Sequence, residues 1–142
     1  MKISTIMTRD IVVITTNETL LSVSTLFEHA HFHHLIVVER GKICGVLSDR
    51  DFFKASSPFL GTKAERDVDT ETLDVKVNKI MSHPPIVLTE DATVMDAIAL
   101  FDAESISCIP IVDSERKPVG IVSWRDIFHS ILQRKAAHEH ES

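Results

Sequence analysis

The chain has 142 residues, enough for one ordinary domain or for two half-size units sharing a core. Apolar residues make up 44% and charged residues 25%, and the net charge of −6 argues against nucleic-acid binding through a broad basic face. No apolar run reaches the length of a membrane span, and the first residues lack the long apolar region of a signal peptide. Cys44 and Cys108 stand apart in strand-like contexts, as reduced core thiols do, so the composition points to a cytoplasmic protein.

Val12 to Ile14 is a short β-branched run and reads as a strand. Asn17 is placed to cap the following helix, in which Leu20, Val23, Phe27 and Ala30 recur at helical spacing. Leu35 to Val38 is a second strand, Glu39 to Lys42 a turn and Ile43 to Leu47 a third strand, which leads into a second helix. Ser56 to Asp69, with Pro58, Gly61 and many charges, reads as a loop. Leu73, Val77 and Ile80 are then spaced as a helix. The same order returns: a strand at Ile86 to Leu88, a cap at Asp91, and a helix marked by Val94, Ala97, Ile98 and Phe101. Strands at Ile109 to Val112 and Val119 to Val122 flank a turn at Asp113 to Lys117, and a last helix follows. After Leu132 the chain is polar and is expected to fray. The order is β-α-β-β-α, twice.

The likeness extends to individual residues. Ile6-Met7 returns as Ile80-Met81, Val13 as Val87, Thr15 as Thr89, Thr19 as Thr93, Leu26-Phe27 as Leu100-Phe101 and Val38 as Val112, all at an offset of 74. After a one-residue insertion near Glu115, Lys42, Gly45, Ser48, Arg50, Asp51 and Phe53 return at an offset of 75. The most similar stretches are the nonapeptides Gly45 to Phe53 and Gly120 to Phe128: glycine, two branched apolar residues, serine, then Arg-Asp and two apolar residues. Each is a strand running into a helix, with the serine as N-cap and the aspartate in the first turn, where negative charge suits the helix dipole. Two readings remain open. Ser-x-x-Asp can be a capping box that needs no ligand, although Asp reaches back less far than the Glu or Gln such a box prefers. It can equally be a ribose-phosphate site, since anions bind where helices begin.

With Ile6-Met7 and Ile80-Met81 opening each unit, His34 to Val38 matched by Cys108 to Val112, and both nonapeptides in register, the chain resembles a tandem pair of CBS domains, the module named after cystathionine β-synthase. The resemblance covers about Ile3 to Gln133 and implies a first unit at 1–57, a linker at 58–72, a second unit at 73–133 and a flexible tail at 134–142. It further implies an α/β (α+β) fold in which two β-α-β-β-α units pack about a pseudo-twofold axis into a disc with two clefts. Such modules sense adenosyl ligands (AMP, ADP, ATP, S-adenosylmethionine or NAD) without catalysing a reaction, commonly as homodimers, and pass a shape change to an effector protein. Carried over by residue, one cleft joins Ser48, Arg50 and Asp51 to Ile106, Ser107 and Cys108. The other joins Ser123, Arg125 and Asp126 to Phe32, His33 and His34. The aspartates are expected on ribose hydroxyls, the serines on the ribose-phosphate, the arginines on phosphate and the apolar loop residues against adenine. One cleft is lined by histidine and the other by serine, so unequal occupancy is expected.

The alternatives are of different classes. The serine and aspartate pairs would merely cap helices in a ligand-independent scaffold protein. His29, His31, His33 and His34 form a dense group that could hold a metal, but no cysteine or carboxylate completes a site signature. His138 and His140 are a weaker pair. Trp124, where the first repeat has Asp49, can line a subunit contact or pack half-buried. Phe52, Phe53, Ile127, Phe128 and Ile131 are expected to be only partly covered by their own chain and to drive dimerisation. No nucleophile elbow, P-loop or Cys-x-x-Cys is present.

Overall fold

A computed structural model describes residues 1–28, 33–55 and 74–141, with side chains up to residue 137. The first repeat comprises β1 (Val13–Thr15), α1 (Leu20–Glu28), β2 (His34–Glu39), β3 (Lys42–Ser48) and α2 (Asp49–Ala55). The second comprises β4 (Leu88–Thr89), α3 (Val94–Ala103), β5 (Cys108–Val112), β6 (Pro118–Ser123) and α4 (Trp124–Glu141). Helix α4 continues through the stretch expected to fray, which is rich in the good helix formers Gln, Arg, Lys, Ala and Glu. Ala30, the 58–72 linker and Leu73 lie outside the described residues. Of the helix expected to run on from Leu73, the described part is a single 3-10 turn, Val77–Lys79.

Each repeat builds its own three-stranded sheet, in the orders β1-β2-β3 and β4-β5-β6. The first pair in each sheet is parallel, with Ile14 opposite Val37 in one case and Leu88 opposite Ile111 in the other. A parallel pair needs a long crossover, and α1 and α3 provide it. The middle strands bury four of six positions in β2 and all five in β5, which accounts for their unbroken apolar runs. The β2–β3 loop has φ of 55° at Arg40 and 81° at Gly41, the left-handed pair that a two-residue hairpin requires. The inserted residue of the second repeat lengthens the equivalent loop. There the Asp113 carboxylate accepts from the Glu115 and Lys117 N–H groups at 2.8 and 3.0 Å.

The helix starts correct two expectations. Thr93, not Asp91, caps α3: its side chain accepts from the Asp96 N–H while Asp96 accepts from the Thr93 N–H. Asp91 lies in the preceding turn and accepts from the Thr89 hydroxyl, which holds its carboxyl below the ordinary carboxylate range. Thr19 takes the same place before α1, accepting from the Ser22 N–H, so Asn17 is not the cap. The cap is decided by the residue three places on that can return the bond.

The chain folds as two compact units. One is Val12–Pro85; the other joins Met1–Ile11 to Ile86–Ser142. The segment ahead of β1 therefore folds onto the second repeat, and the segment ahead of β4 onto the first. In the second-repeat unit Ile3 N–H donates to Ala92 O at 2.8 Å, Val94 N–H to Met1 O at 3.0 Å, and Thr8 and Ile121 exchange backbone bonds at 2.8 and 2.9 Å. In the first-repeat unit Val77 N–H donates to Glu18 O, Leu20 N–H to Val75 O, and Ser82 exchanges with Val46. Ile3 and Val77 are both fully buried. Ile3 and Met7 join Ala97, Phe101, Ile109, Ile111, Val122 and Ile127 in one core, and Val77 joins Ile14, Leu20, Val23, Leu35, Val37, Leu47 and Phe52 in the other.

These straps lie close over glycine. A Cβ on Gly120 would stand 2.6 Å from Met7 Sδ and 3.1 Å from Thr8 O, and one on Gly45 would stand 2.5 Å from Met81 Sδ and 3.0 Å from Ser82 O. Neither approach leaves room for a methyl group, which explains why both nonapeptides open on glycine. Gly120→Ala should lower stability to urea by about 1–3 kcal/mol, the usual cost of overpacking. A midpoint equal to the wild type would show that the strap is not tightly seated.

Candidate functional site

The antiparallel hairpins bring the candidate residues together within each unit. His34 is directly opposite Ser48 in the β2–β3 ladder, and Cys108 is directly opposite Ser123 in the β5–β6 ladder. Each loop end thus lies beside the motif of its own repeat, a neighbourhood not included in the expectation that pairs each motif with the other repeat's loop. Phe32 lies outside the described residues. Ile106 is half-buried and packs against the second-repeat core, next to the exposed Ser107.

In the first repeat, Ser48 and Asp51 form a reciprocal box. Asp51 N–H donates to Ser48 Oγ at 3.0 Å, and Ser48 N–H donates to Asp51 Oδ2 at 3.1 Å. The shorter Asp side chain does reach back. Arg50 is exposed beside it. His33 Nδ1 lies 3.0 Å from Asp49 Oδ2, and Asp49 N–H donates to His33 O at 2.9 Å, so loop and helix start are tied twice. His33 is 74% exposed at its side chain, which makes this pair a weak contributor to stability. His34 is half-buried. Burial lowers its pKa most; the His33 ring adds to this, while Asp49 and Asp51 pull the other way.

The second repeat uses the same letters differently. Ser123 N–H donates to Asp126 Oδ2 at 2.9 Å, but the Ser123 hydroxyl also donates to Oδ2, at 3.3 Å. Thr8, carried in by the N-terminal strap, donates to Asp126 Oδ1 at 3.2 Å. Trp124 replaces Asp49 and packs half-buried, its ring centre 4.7 Å from that of Phe101 and 5.5 Å from that of Phe128. An open groove of about 430 Å³ runs beside the site, lined by Arg125, Asp126, Phe128, His129 and Leu132. Thr8 was missed in the sequence because its only signal was its place directly after the repeated Ile-Met.

The exposed apolar set is narrower than expected. Phe52 and Ile127 are core residues at 9% and 1% exposure, because adjacent helical positions point about 100° apart and only one of each pair faces out. Of that set Phe53, Phe128 and Ile131 are exposed, as is Leu132 on the same helix as the last two. Among the described residues no three His, Cys, Asp or Glu side chains converge as metal ligands. His29 and His31 lie outside that set, as do the side chains of His138 and His140. No described helix is long and apolar enough to cross a membrane.

The duplicated order, the two matching sheets and the paired Ser-x-Arg-Asp starts describe a repeated module, and the sequence pattern of the CBS domain matches residues 3–58 and again 77–133. The chain belongs to the CBS-domain family. This CBS pair is 29% identical over 132 residues to an uncharacterized 17.7 kDa protein of Acidianus ambivalens, covering 92% of the present chain and 73% of that one. Among solved structures it resembles CBSX2, from Arabidopsis thaliana, in its complex with AMP, with a TM-score of 0.77 at 21% identity and coverage of 94% and 98%. It also resembles the CBS domain pair of protein MJ0100 in complex with 5′-methylthioadenosine and S-adenosyl-L-methionine, with a TM-score of 0.76 at 21% identity and coverage of 94% and 98%. The fold of the CBS pair is thereby shared with both.

The half-buried imidazole of His34 is expected to give the first-repeat half a pH dependence. A histidine whose pKa is lowered on folding takes up its proton first in the unfolded chain, so stability rises with pH through that window. The melting temperature should fall between about pH 7.5 and about pH 5.5, above the range where carboxylates titrate. His34→Asn should reduce the fall, and identical falls in both proteins would remove His34 as its source.

Proposed function

We propose that this CBS pair is a regulatory module that binds an adenosyl ligand and catalyses no reaction. The ligand class is AMP, ADP or ATP, with S-adenosylmethionine and NAD as further members. The observation that carries the reading is the placement of Ser-x-Arg-Asp at a strand-to-helix start in both repeats, with a loop end in register beside it. In the first repeat, Asp51 takes ribose hydroxyls, Ser48 faces the ribose-phosphate and Arg50 meets phosphate, with His33 and His34 at the rim. In the second, Asp126, Ser123 and Arg125 take the same roles, with Ser107 and Cys108 at the rim and Ile106 against the base. Two structurally similar proteins were crystallised with such ligands, AMP in one and 5′-methylthioadenosine with S-adenosylmethionine in the other.

A scaffold reading without ligand has its own support. Thr93 and Asp96 form the same reciprocal bonds at α3, so Ser/Thr-x-x-Asp serves as a cap elsewhere in the chain. Calorimetry on Asp51→Asn and Asp126→Asn separates the two. In the ligand reading AMP affinity at the altered site falls by about ten- to a hundredfold, the loss of a hydrogen bond to a charged group. In the scaffold reading only the melting temperature moves, by the equivalent of about 1 kcal/mol per cap.

The same reading includes a homodimer and an effector protein that responds to it. Phe128, Ile131 and Leu132 recur at helical spacing along α4 and are half or more exposed, an apolar stripe of the kind that subunit contacts cover. Sedimentation at tens of micromolar should give twice the chain mass. Leu132→Glu should shift it to the monomer, and a wild-type monomer would overturn this part.

A further inference from the structure

The two repeats place the same aspartate in different hydrogen-bonding states. A carboxylate has about four lone-pair positions. Asp126 uses three: Ser123 N–H and the Ser123 hydroxyl on Oδ2, and the Thr8 hydroxyl on Oδ1. Asp51 uses one from the described residues, the Ser48 N–H on Oδ2. Ser48 is turned the other way, its oxygen accepting from Asp51 N–H, so it adds nothing to the carboxylate. The strap residue equivalent to Thr8 is Ser82, which makes the same backbone exchange with Val46 that Thr8 makes with Ile121. Thr8 is β-branched and stiff at χ1, so its hydroxyl stays where the strap delivers it.

A ribose presents two neighbouring hydroxyls, and both must find acceptors when they are buried. Asp51 has room for both. Asp126 has room for one. We propose that Thr8 is a specificity-determining residue of the second-repeat site: by occupying Oδ1 of Asp126 it limits that carboxylate to a single hydroxyl, while Asp51 alone takes an intact vicinal diol. The inference rests on the proposed adenosyl reading and divides it. The Asp51 site selects ribosyl ligands with both hydroxyls free. The Asp126 site accepts ligands lacking one of them or substituted at one.

The test uses AMP and 2′-deoxy-AMP as probes in titration calorimetry. Asp126→Asn isolates the first site and Asp51→Asn the second. With Asp126→Asn, loss of the 2′-hydroxyl should weaken binding by about ten- to a hundredfold. With Asp51→Asn the two nucleotides should bind within about threefold of each other, since no second acceptor position is lost. Adding Thr8→Val to Asp51→Asn should tighten AMP and restore the preference for the diol. A strap that mattered only for stability would change the melting temperature without changing the ratio of the two affinities. Equal discrimination at both sites, or no response to Thr8→Val, overturns the inference while leaving the adenosyl reading intact. Failure of the wild type to bind AMP, ATP or S-adenosylmethionine overturns both.

Discussion

The packing of a methionine-bearing strap over a glycine is the constraint on which the rest depends. Met7 on Gly120 and Met81 on Gly45 bring backbone to within hydrogen-bonding distance of a strand that, among the described residues, no other strand pairs on that side. Each sheet has three strands among the described residues, and a sheet that small depends on having its apolar face packed and its edge covered. The strap does both: its backbone bonds to β3 or β6, and Ile3 or Val77 goes into the core. Because the strap comes from ahead of the other repeat, neither repeat is a finished unit by its own sequence. The functional consequence is local. The strap that closes the second-repeat unit also delivers Thr8 to the carboxylate at the start of α4.

Capping by Ser-x-Arg-Asp is compatible with the ligand role proposed for it. A cap needs the aspartate to return one bond to the serine N–H, which consumes one lone pair. The lone pairs that the cap leaves over are the ones the proposed ligand would use. A capping box is therefore a rigid mount for an acceptor as well as a helix stop. Divergence between the repeats acts on what is left over: the serine hydroxyl donates in one and accepts in the other, and the neighbouring position is Asp49 in one and Trp124 in the other.

Much of this was legible in the sequence because periodicity reports burial directly. The alternation and apolar runs at Leu35 to Val38 and Ile109 to Val112 located the middle strands, and the Leu20, Val23 and Ala97, Phe101 spacings located the helices. The caps at Asn17 and Asp91 were misplaced because both residue types cap well in general, while the deciding feature was a returning bond from Ser22 or Asp96. The strap exchange was not legible, since nothing in a repeated Ile-Met says which of two similar bodies it will join. Nor was the state of the carboxylates, because identical letters at Ser48 and Ser123 adopt opposite donor roles. Phe52 and Ile127 went astray for a simpler reason: of two adjacent apolar residues on a helix, composition does not say which faces in.

The strap exchange also sets an order of assembly during synthesis. Everything in the unit Val12–Pro85 is available once Pro85 has been made, so its sheet, core and strap can close together. The other unit joins Met1–Ile11 to Ile86–Ser142, two segments separated in sequence by the whole of the first unit. Thr8 meets a partner 118 positions later. Until then Ile3 and Met7 have no core to enter, and the eventual closure carries the loop entropy and high contact order of a long-range pairing. The discontinuous unit can therefore close only after the continuous one has been synthesised.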